Sequence, residues 1–180
     1  LSLYYEAGIQ WNGWRTTGDV IVGRGLNRQI ERAYGFLASR YRPGDKIFLL
    51  GYSRGAFAVR SLAGALDRVG LVEARHATVR NIRQAYRHYR YTPDSDACRA
   101  FKKAFCLGDV PIEMLGVWDT VRALGMRAPL LWTLSEPRHR FHNLRLASHV
   151  RRGFQARGAN ETRMAFAPVR WTTGTNGGAM

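Results

Sequence analysis

Apolar residues in the first third of the chain follow two periodicities in succession, one typical of a helix and one typical of a buried strand. Over residues 25–41 they recur every three or four positions, which predicts an amphipathic helix with one buried stripe. Residues 42–45 read RPGD and predict a turn, because proline presets a turn backbone and glycine supplies unusual angles. The uninterrupted apolar run at residues 47–50 favours a strand buried on both faces, as in a parallel sheet covered by helices.

Predicted helices and strands continue to alternate along the rest of the chain. Helical spacing returns over residues 56–69, and residues 73–108 predict a helical insert with one break near residues 91–94. Further strands are predicted at residues 112–118 and 164–171. Alternating helices and strands are typical of an α/β protein with right-handed crossovers. We therefore expect one domain over residues 1–180, built on a mostly parallel sheet flanked by helices.

A Gly-x-Ser-x-Gly pattern lies between the first predicted strand and the helix that follows it. Its members are Gly51, Ser53 and Gly55. The bare pattern arises by chance in roughly one chain of this length in twenty, but here it has the strand–turn–helix context of a nucleophile elbow. There, glycines on both sides allow a strained turn to hold the serine above the sheet edge, and the backbone N–H of Arg54 points at a developing oxyanion. An ordinary glycine turn is the alternative.

A nucleophilic serine needs a base, and the base needs an acid to orient it. Asp119 is the preferred acid because it follows the predicted strand at residues 112–118, at the edge of a parallel sheet where sites assemble. The alternative for Asp119 is a helix N-cap. The base is harder to assign. Three histidines follow Asp119, and His149 is the best candidate among them, although it does not directly follow a predicted strand. The alternative for His149 is a surface histidine without a catalytic role.

Charge adds a competing hypothesis. The chain has 28 basic and 13 acidic residues, for a net charge of +15, and 25 of the basic residues are arginines. Such a balance suggests a non-catalytic basic module that binds nucleic acid or an anionic surface. The arginines are spread along the chain rather than segregated, which favours solvated surfaces and disfavours nucleic acid. The net positive charge also allows an anionic membrane surface as a partner.

Other classes receive little support from the sequence. No apolar run is long enough to span a bilayer, and no signal peptide is recognisable, so we expect a cytoplasmic protein or one exported without a signal peptide. Cys98 and Cys106 are expected to be free thiols. The histidines and cysteines show no metal-ligand spacing, and no cofactor is expected.

Beyond these patterns, two blocks of the sequence resemble a known family. The run Gly51-Tyr-Ser-Arg-Gly-Ala-Phe-Ala58 and the later Gly116-Val-Trp-Asp-Thr-Val121 are similar to the α/β-hydrolase family that includes type VI secretion phospholipase effectors. The resemblance covers nearly the whole chain in order. It implies an α/β-hydrolase-like fold and a serine hydrolase that acts on lipid or other carboxylic esters, with Ser53 as nucleophile and Asp119 as triad acid.

The resemblance also has departures. Family members usually open with an Asp-Gly-Thr strand, which is absent, and Arg157 and Asn160 replace an apolar residue and an Asp in a later block. Their histidine usually lies in a Gly-x-His-x-Asp-x-Gly-Gly segment after that block, where this chain has ended. We therefore expect a catalytic domain that is incomplete at both ends and whose triad histidine lies outside the chain.

Overall fold

The computed structural model describes residues 1–7, 24–118 and 148–156. Its elements, in chain order, are α1 (Arg24–Arg40), β1 (Ile47–Tyr52), α2 (Arg54–Arg68), a short 3-10 helix (Ala74–His76), α3 (Val79–Tyr91), α4 (Asp96–Phe105), β2 (Ile112–Trp118) and β3 (Gly153–Ala156). The helices and the first two strands agree with the sequence prediction to within a few residues. The strand predicted at residues 164–171 lies outside the described residues.

The described sheet has three strands in the order β1-β2-β3, and both neighbouring pairs are parallel. Tyr52 at the end of β1 pairs with Trp118 at the end of β2, which in turn pairs with Ala156 of β3. Parallel neighbours need a crossover connection, and α2 to α4 lie within the connection from β1 to β2. The parallel sheet with helices agrees with the predicted α/β fold.

Helix α2 packs directly on the sheet, where it contacts both β1 and β2, and α1 and α3 pack against α2. The predicted stripe of α1 is buried through Leu26, Ile30 and Tyr34. The Tyr34 hydroxyl donates to the carbonyl of Gly70 at 2.8 Å and accepts from the amide of Val72 at 3.1 Å. These two bonds satisfy a buried polar group and join α1 to the loop that follows α2.

Strand β1 is buried on one face only. Ile47 and Leu49 face the core, whereas the side chains of Phe48 and Leu50 are each 56% exposed. The prediction that this strand is buried on both faces is therefore wrong for the described structure. The physical reason is that the described helix packed on the sheet, α2, covers one face only. The sequence could not reveal this open face, because an unbroken apolar run has no alternation of polar and apolar residues.

Local sequence chemistry sets the ends of several elements. The predicted turn after α1 is present, with Gly44 at φ 96° and with the Arg42 amide donating to the Asp45 carboxylate at 2.9 Å. Hydroxyl groups cap the two helices of the 73–108 segment: Thr78 accepts from an amide in α3, and Ser95 accepts from an amide in α4. Among the described helices, none combines the length and the apolar content required to cross a membrane.

Candidate functional site

Ser53 occupies a tight turn between β1 and α2. Its backbone angles are φ 54° and ψ −115°, and it is the one non-glycine residue with positive φ in the described part of the chain. Side-chain-bearing residues avoid this region because the Cβ atom crowds the backbone, at a cost of about 1–3 kcal/mol. Such strain persists only when the surrounding structure holds it, and it clusters at functional sites.

The packing around this turn requires a glycine at position 51. A Cβ atom there would lie 2.5 Å from the carbonyl oxygen of Gly55 and 2.7 Å from the backbone of Ala56. Gly51 thus lets the end of β1 approach the first turn of α2. At Gly55, by contrast, an added Cβ would meet nothing within 4 Å among the described residues. The two glycines of the pattern are therefore not equivalent.

Ser53 is anchored through its backbone rather than through its side chain. Its amide donates to the carbonyl of Trp118 at 2.8 Å, which joins the turn to the end of β2. Although Ser53 stands at the N-cap position of α2, its hydroxyl makes no capping hydrogen bond. Arg54 is the first residue of the helix, at the end where the helix dipole is positive. An oxyanion would be favoured at this position.

Asp119, the predicted acid, lies outside the described residues. Its predecessor Trp118 ends β2 and pairs with Tyr52, the last residue of β1. Ser53 and Asp119 are consequently the first residues after two neighbouring parallel strands that end at the same edge of the sheet.

His149 lies at the opposite edge of the sheet, beside the residue at which β2 begins. Its carbonyl accepts from the amide of Ile112, the first residue of β2, whereas Ser53 bonds to Trp118, the last. The two contacts are six positions apart along β2, or about 20 Å at the rise of a parallel strand. The structure therefore does not bring His149 to Ser53, and the interpretation of His149 as the base is wrong for this structure.

His149 instead belongs to a small polar cluster at the C-terminal end of α2. Its Nδ1 lies 3.0 Å from Oδ1 of Asp67, and the hydroxyl of Ser148 donates to the same oxygen at 2.9 Å. The side chain of His149 is 7% exposed, and its Nε2 has no hydrogen-bond partner among the residues that the structure describes. Sequence reasoning missed this cluster because Asp67 is more than eighty positions from the other two residues and no motif links them.

The two cysteines do not compete with Ser53 as nucleophiles. Both are free thiols, as expected from the sequence. Burial raises the pKa of the Cys106 thiol to about 12 and also raises the pKa of Cys98, so both thiols stay protonated at neutral pH. Within residues 1–7, 24–118 and 148–156, no three histidine, cysteine or acidic side chains lie close enough to hold a metal ion.

Comparison with known proteins adds to this geometry. Residues 2–179 match the family described as the catalytic domain of Tle1-like phospholipase effectors of the type VI secretion system (T6SS). The chain belongs to this family. The resemblance to type VI secretion phospholipase effectors is thereby confirmed. The chain is also similar to the uncharacterized protein YEL023C of Saccharomyces cerevisiae, with 31% identity over 147 residues.

The yeast alignment covers 68% of this chain and 22% of the yeast protein, so the chain spans less than a quarter of that relative's length. No solved structure matches the chain. The Tle1-like match extends over the Ser53 turn and all the described elements, including β3, which sequence periodicity did not predict.

Proposed function

We propose that this Tle1-like domain is a serine hydrolase of phospholipid acyl esters, with Ser53 as its nucleophile. The observation that carries the proposal is the strained backbone of Ser53 at the strand-to-helix turn. Two further features support the proposal. The end of β1 approaches the first turn of α2 so closely that position 51 requires glycine, and the Ser53 hydroxyl does not cap the helix. An ordinary glycine turn would have no need to hold a serine in this conformation.

In the proposed reaction, the Ser53 oxygen attacks the carbonyl carbon of the ester as a histidine takes the hydroxyl proton. The carbonyl oxygen becomes an oxyanion that accepts from the Arg54 amide at the start of α2. Collapse of this intermediate breaks the bond to the alcohol, which leaves with the proton from the histidine. Water then attacks the acyl-enzyme in the same way, so that one ester and one water give one acid and one alcohol.

For the acid we propose Asp119, on the basis of the register that pairs Tyr52 with Trp118. Its carboxylate would orient the imidazole and stabilise the imidazolium that forms during attack. For the base we propose a histidine from the segment that the family resemblance places after residue 180. The position of His149 at the opposite edge of the sheet supports this choice.

Phospholipid is the proposed substrate because the matching family is described as phospholipase effectors. A high net positive charge would also bring the domain to an anionic bilayer.

Labelling with a fluorophosphonate, which reacts with activated serines, tests the nucleophile in the protein as its gene encodes it. The wild-type protein is expected to be labelled and to release fatty acid from phospholipid vesicles. Ser53→Ala is expected to abolish labelling and to lower the rate of hydrolysis about a thousandfold or more. Ser39→Ala removes an exposed hydroxyl of α1 and serves as the matched control, with unchanged labelling and rate.

Equal labelling of the wild type and Ser53→Ala would contradict the proposal. Absence of labelling together with salt-dependent retention on a polyanion column would instead favour the non-catalytic basic module, because counterion release makes such binding steeply dependent on salt. Asp119→Asn tests the acid: the rate should fall by orders of magnitude, while the protein folds as before.

A further inference from the structure

Helices α1 and α3 border a groove of about 580 Å³ that is separate from the elbow. Its described lining comes from these two helices alone, and no residue of β1, β2 or the Ser53 turn contributes. A volume of this size is typical of sites for small molecules, which occupy roughly 300–1,000 Å³.

The groove has a large excess of positive charge. Four arginines line it, two from each helix: Arg28, Arg32, Arg83 and Arg90. Glu31 is the one acidic residue of the described lining. Burial raises the pKa of the Glu31 carboxyl, although the nearby arginines oppose this shift. Even with Arg32 paired to Glu6, the single carboxylate of Glu31 cannot balance the other three guanidinium groups.

The four guanidinium groups differ in how they are engaged. Arg32 pairs with Glu6 of the N-terminal segment, and Arg90 stacks over the rings of Tyr86 and Tyr91, at 5.8 Å and 4.9 Å from their centroids. Arg28 and Arg83 are exposed and make no ion pair with any residue that the structure describes. Arg28 and Arg83, one on each helix, are therefore available to an anion that enters from solvent.

A neutral donor adds to these charges. Oδ1 of Asn27, which also lines the groove, accepts from the Tyr86 hydroxyl at 2.8 Å. This bond fixes the orientation of the amide and leaves its NH2 group as the donor. Guanidinium and amide N–H groups that line one groove from two helices suit the several acceptor oxygens of a phosphate, which arginine binds in bidentate fashion.

We propose that the α1–α3 groove is a binding site for a phosphate group, carried either by a lipid headgroup or by a small soluble phosphorylated molecule. Arg28 and Arg83 supply the charge from the two sides, and Asn27 supplies an oriented donor. The site is distinct from the proposed catalytic serine and does not depend on that assignment. The negative charge of Glu31 opposes anion binding and therefore lowers the affinity of the groove for phosphate.

Titration at constant ionic strength tests the site, with affinity measured calorimetrically for inorganic phosphate, for glycerol 3-phosphate and for vesicles with or without phosphatidic acid. Arg83→Gln is expected to weaken binding about tenfold, which corresponds to the loss of one charge-assisted hydrogen bond. Arg28→Gln should act similarly. Glu31→Gln should strengthen binding, since it removes the one negative charge of the described lining.

Arg87→Gln is the matched control, because Arg87 is an exposed arginine of the same helix that lies outside the groove lining. It is expected to change the affinity less than twofold. Binding of the soluble phosphates identifies a site for free ligands. Binding of phosphatidic acid vesicles alone identifies a site for a lipid headgroup. Either result supports the proposal, provided that Arg83→Gln weakens the observed binding.

Equal weakening by Arg83→Gln and Arg87→Gln would overturn the proposal, since it would reflect only the overall charge of the chain. Absence of saturable binding to any of the probes would overturn it as well. A single-stranded polynucleotide is titrated in the same way; if it is preferred over every small phosphate, with equal loss in both variants, the proposal is overturned in favour of a nucleic-acid surface. None of these outcomes affects the fluorophosphonate test of Ser53.

Discussion

At the scale of single residues, Ser53 combines backbone strain with a hydroxyl group that makes no helix-capping hydrogen bond. A residue with a Cβ atom at φ 54° is destabilised, and replacement by glycine removes the cause. We therefore expect Ser53→Gly to have a free energy of unfolding about 1 kcal/mol higher than that of Ser53→Ala, which retains the strain. Both variants should be inactive. Urea denaturation monitored by circular dichroism measures the difference, and equal midpoints for the two variants would contradict it.

The two elbow glycines give a second prediction at this scale. Gly51→Ala places a Cβ atom against the backbone of Gly55 and Ala56, neither of which can move without disturbing the start of α2. We expect the free energy of unfolding to fall by about 2–3 kcal/mol. Gly55→Ala is the matched control and should cause no loss, because alanine favours a helix and its Cβ meets no described atom. Thermal melting of both variants checks the pair, and equal losses would refute the asymmetry.

The spacing of glycine and serine located the turn at Ser53, but other aspects of the site were not accessible from the sequence. The pattern implied strain at Ser53, whereas the unequal roles of Gly51 and Gly55 depend on the angle at which α2 leaves β1. The location of His149 depends on β3, a short strand without apolar alternation. Sequence order made His149 a candidate base, whereas the register of the sheet places it at the wrong edge.

At the scale of elements, the pairing of α3 with α4 contains a buried histidine. The side chain of His88 is buried, its Nδ1 lies 3.1 Å from Oγ1 of Thr92, and its ring contacts the ring of Phe101 at 5.3 Å. Burial, and to a smaller extent the charge of Arg87, lowers the pKa of His88 below its usual value. The neutral imidazole is therefore the form that the folded protein favours.

This shift predicts how stability depends on pH. Because the pKa of His88 is lower in the folded than in the unfolded chain, the unfolded chain takes up the proton first as the pH falls below about 6.5. The contribution of the neutral imidazole is complete above that pH and is lost as the pH falls through the folded pKa. We expect His88→Gln to reduce the slope of unfolding free energy against pH between 7 and 5. Urea titrations at several pH values measure both slopes, and identical slopes would contradict the assignment.

Elements with a strong periodic pattern were the predictable ones. The stripe of α1 and the turn at Gly44 were apparent from spacing and from turn chemistry, and both are present. The half-open face of β1, where Phe48 and Leu50 are exposed, was not apparent, because four apolar residues in succession suit one buried face as well as two. Burial on the second face is decided by what packs there, which is a tertiary property.

At the scale of the whole molecule, charge is the dominant feature. A net charge of +15 on 180 residues makes the folded chain repel itself. The described ion pairs offset little of this repulsion, since several join exposed side chains; Arg68 and Asp94, for example, are 3.7 Å apart at the surface. Folding brings like charges closer together than they are in the unfolded chain, so this repulsion acts mainly against the folded state.

Salt should therefore stabilise the fold. Raising NaCl from about 0.01 M to 0.3 M shortens the screening length from about 30 Å to well below 10 Å, which weakens repulsion between surface arginines. Removal of about 1 kcal/mol of repulsion would raise Tm by about 2–4 °C in a protein of this size. Replacing exposed Arg80 and Arg87 of α3 with glutamine should raise Tm at low salt and reduce the further gain from NaCl. A Tm that falls with NaCl, or a double variant with an undiminished salt response, would show that self-repulsion is not what limits stability. At equal ionic strength, phosphate should raise Tm more than chloride does, in part because phosphate is excluded from protein surfaces. Arg83→Gln should reduce this extra increment and Arg87→Gln should not, because only binding in the groove depends on Arg83.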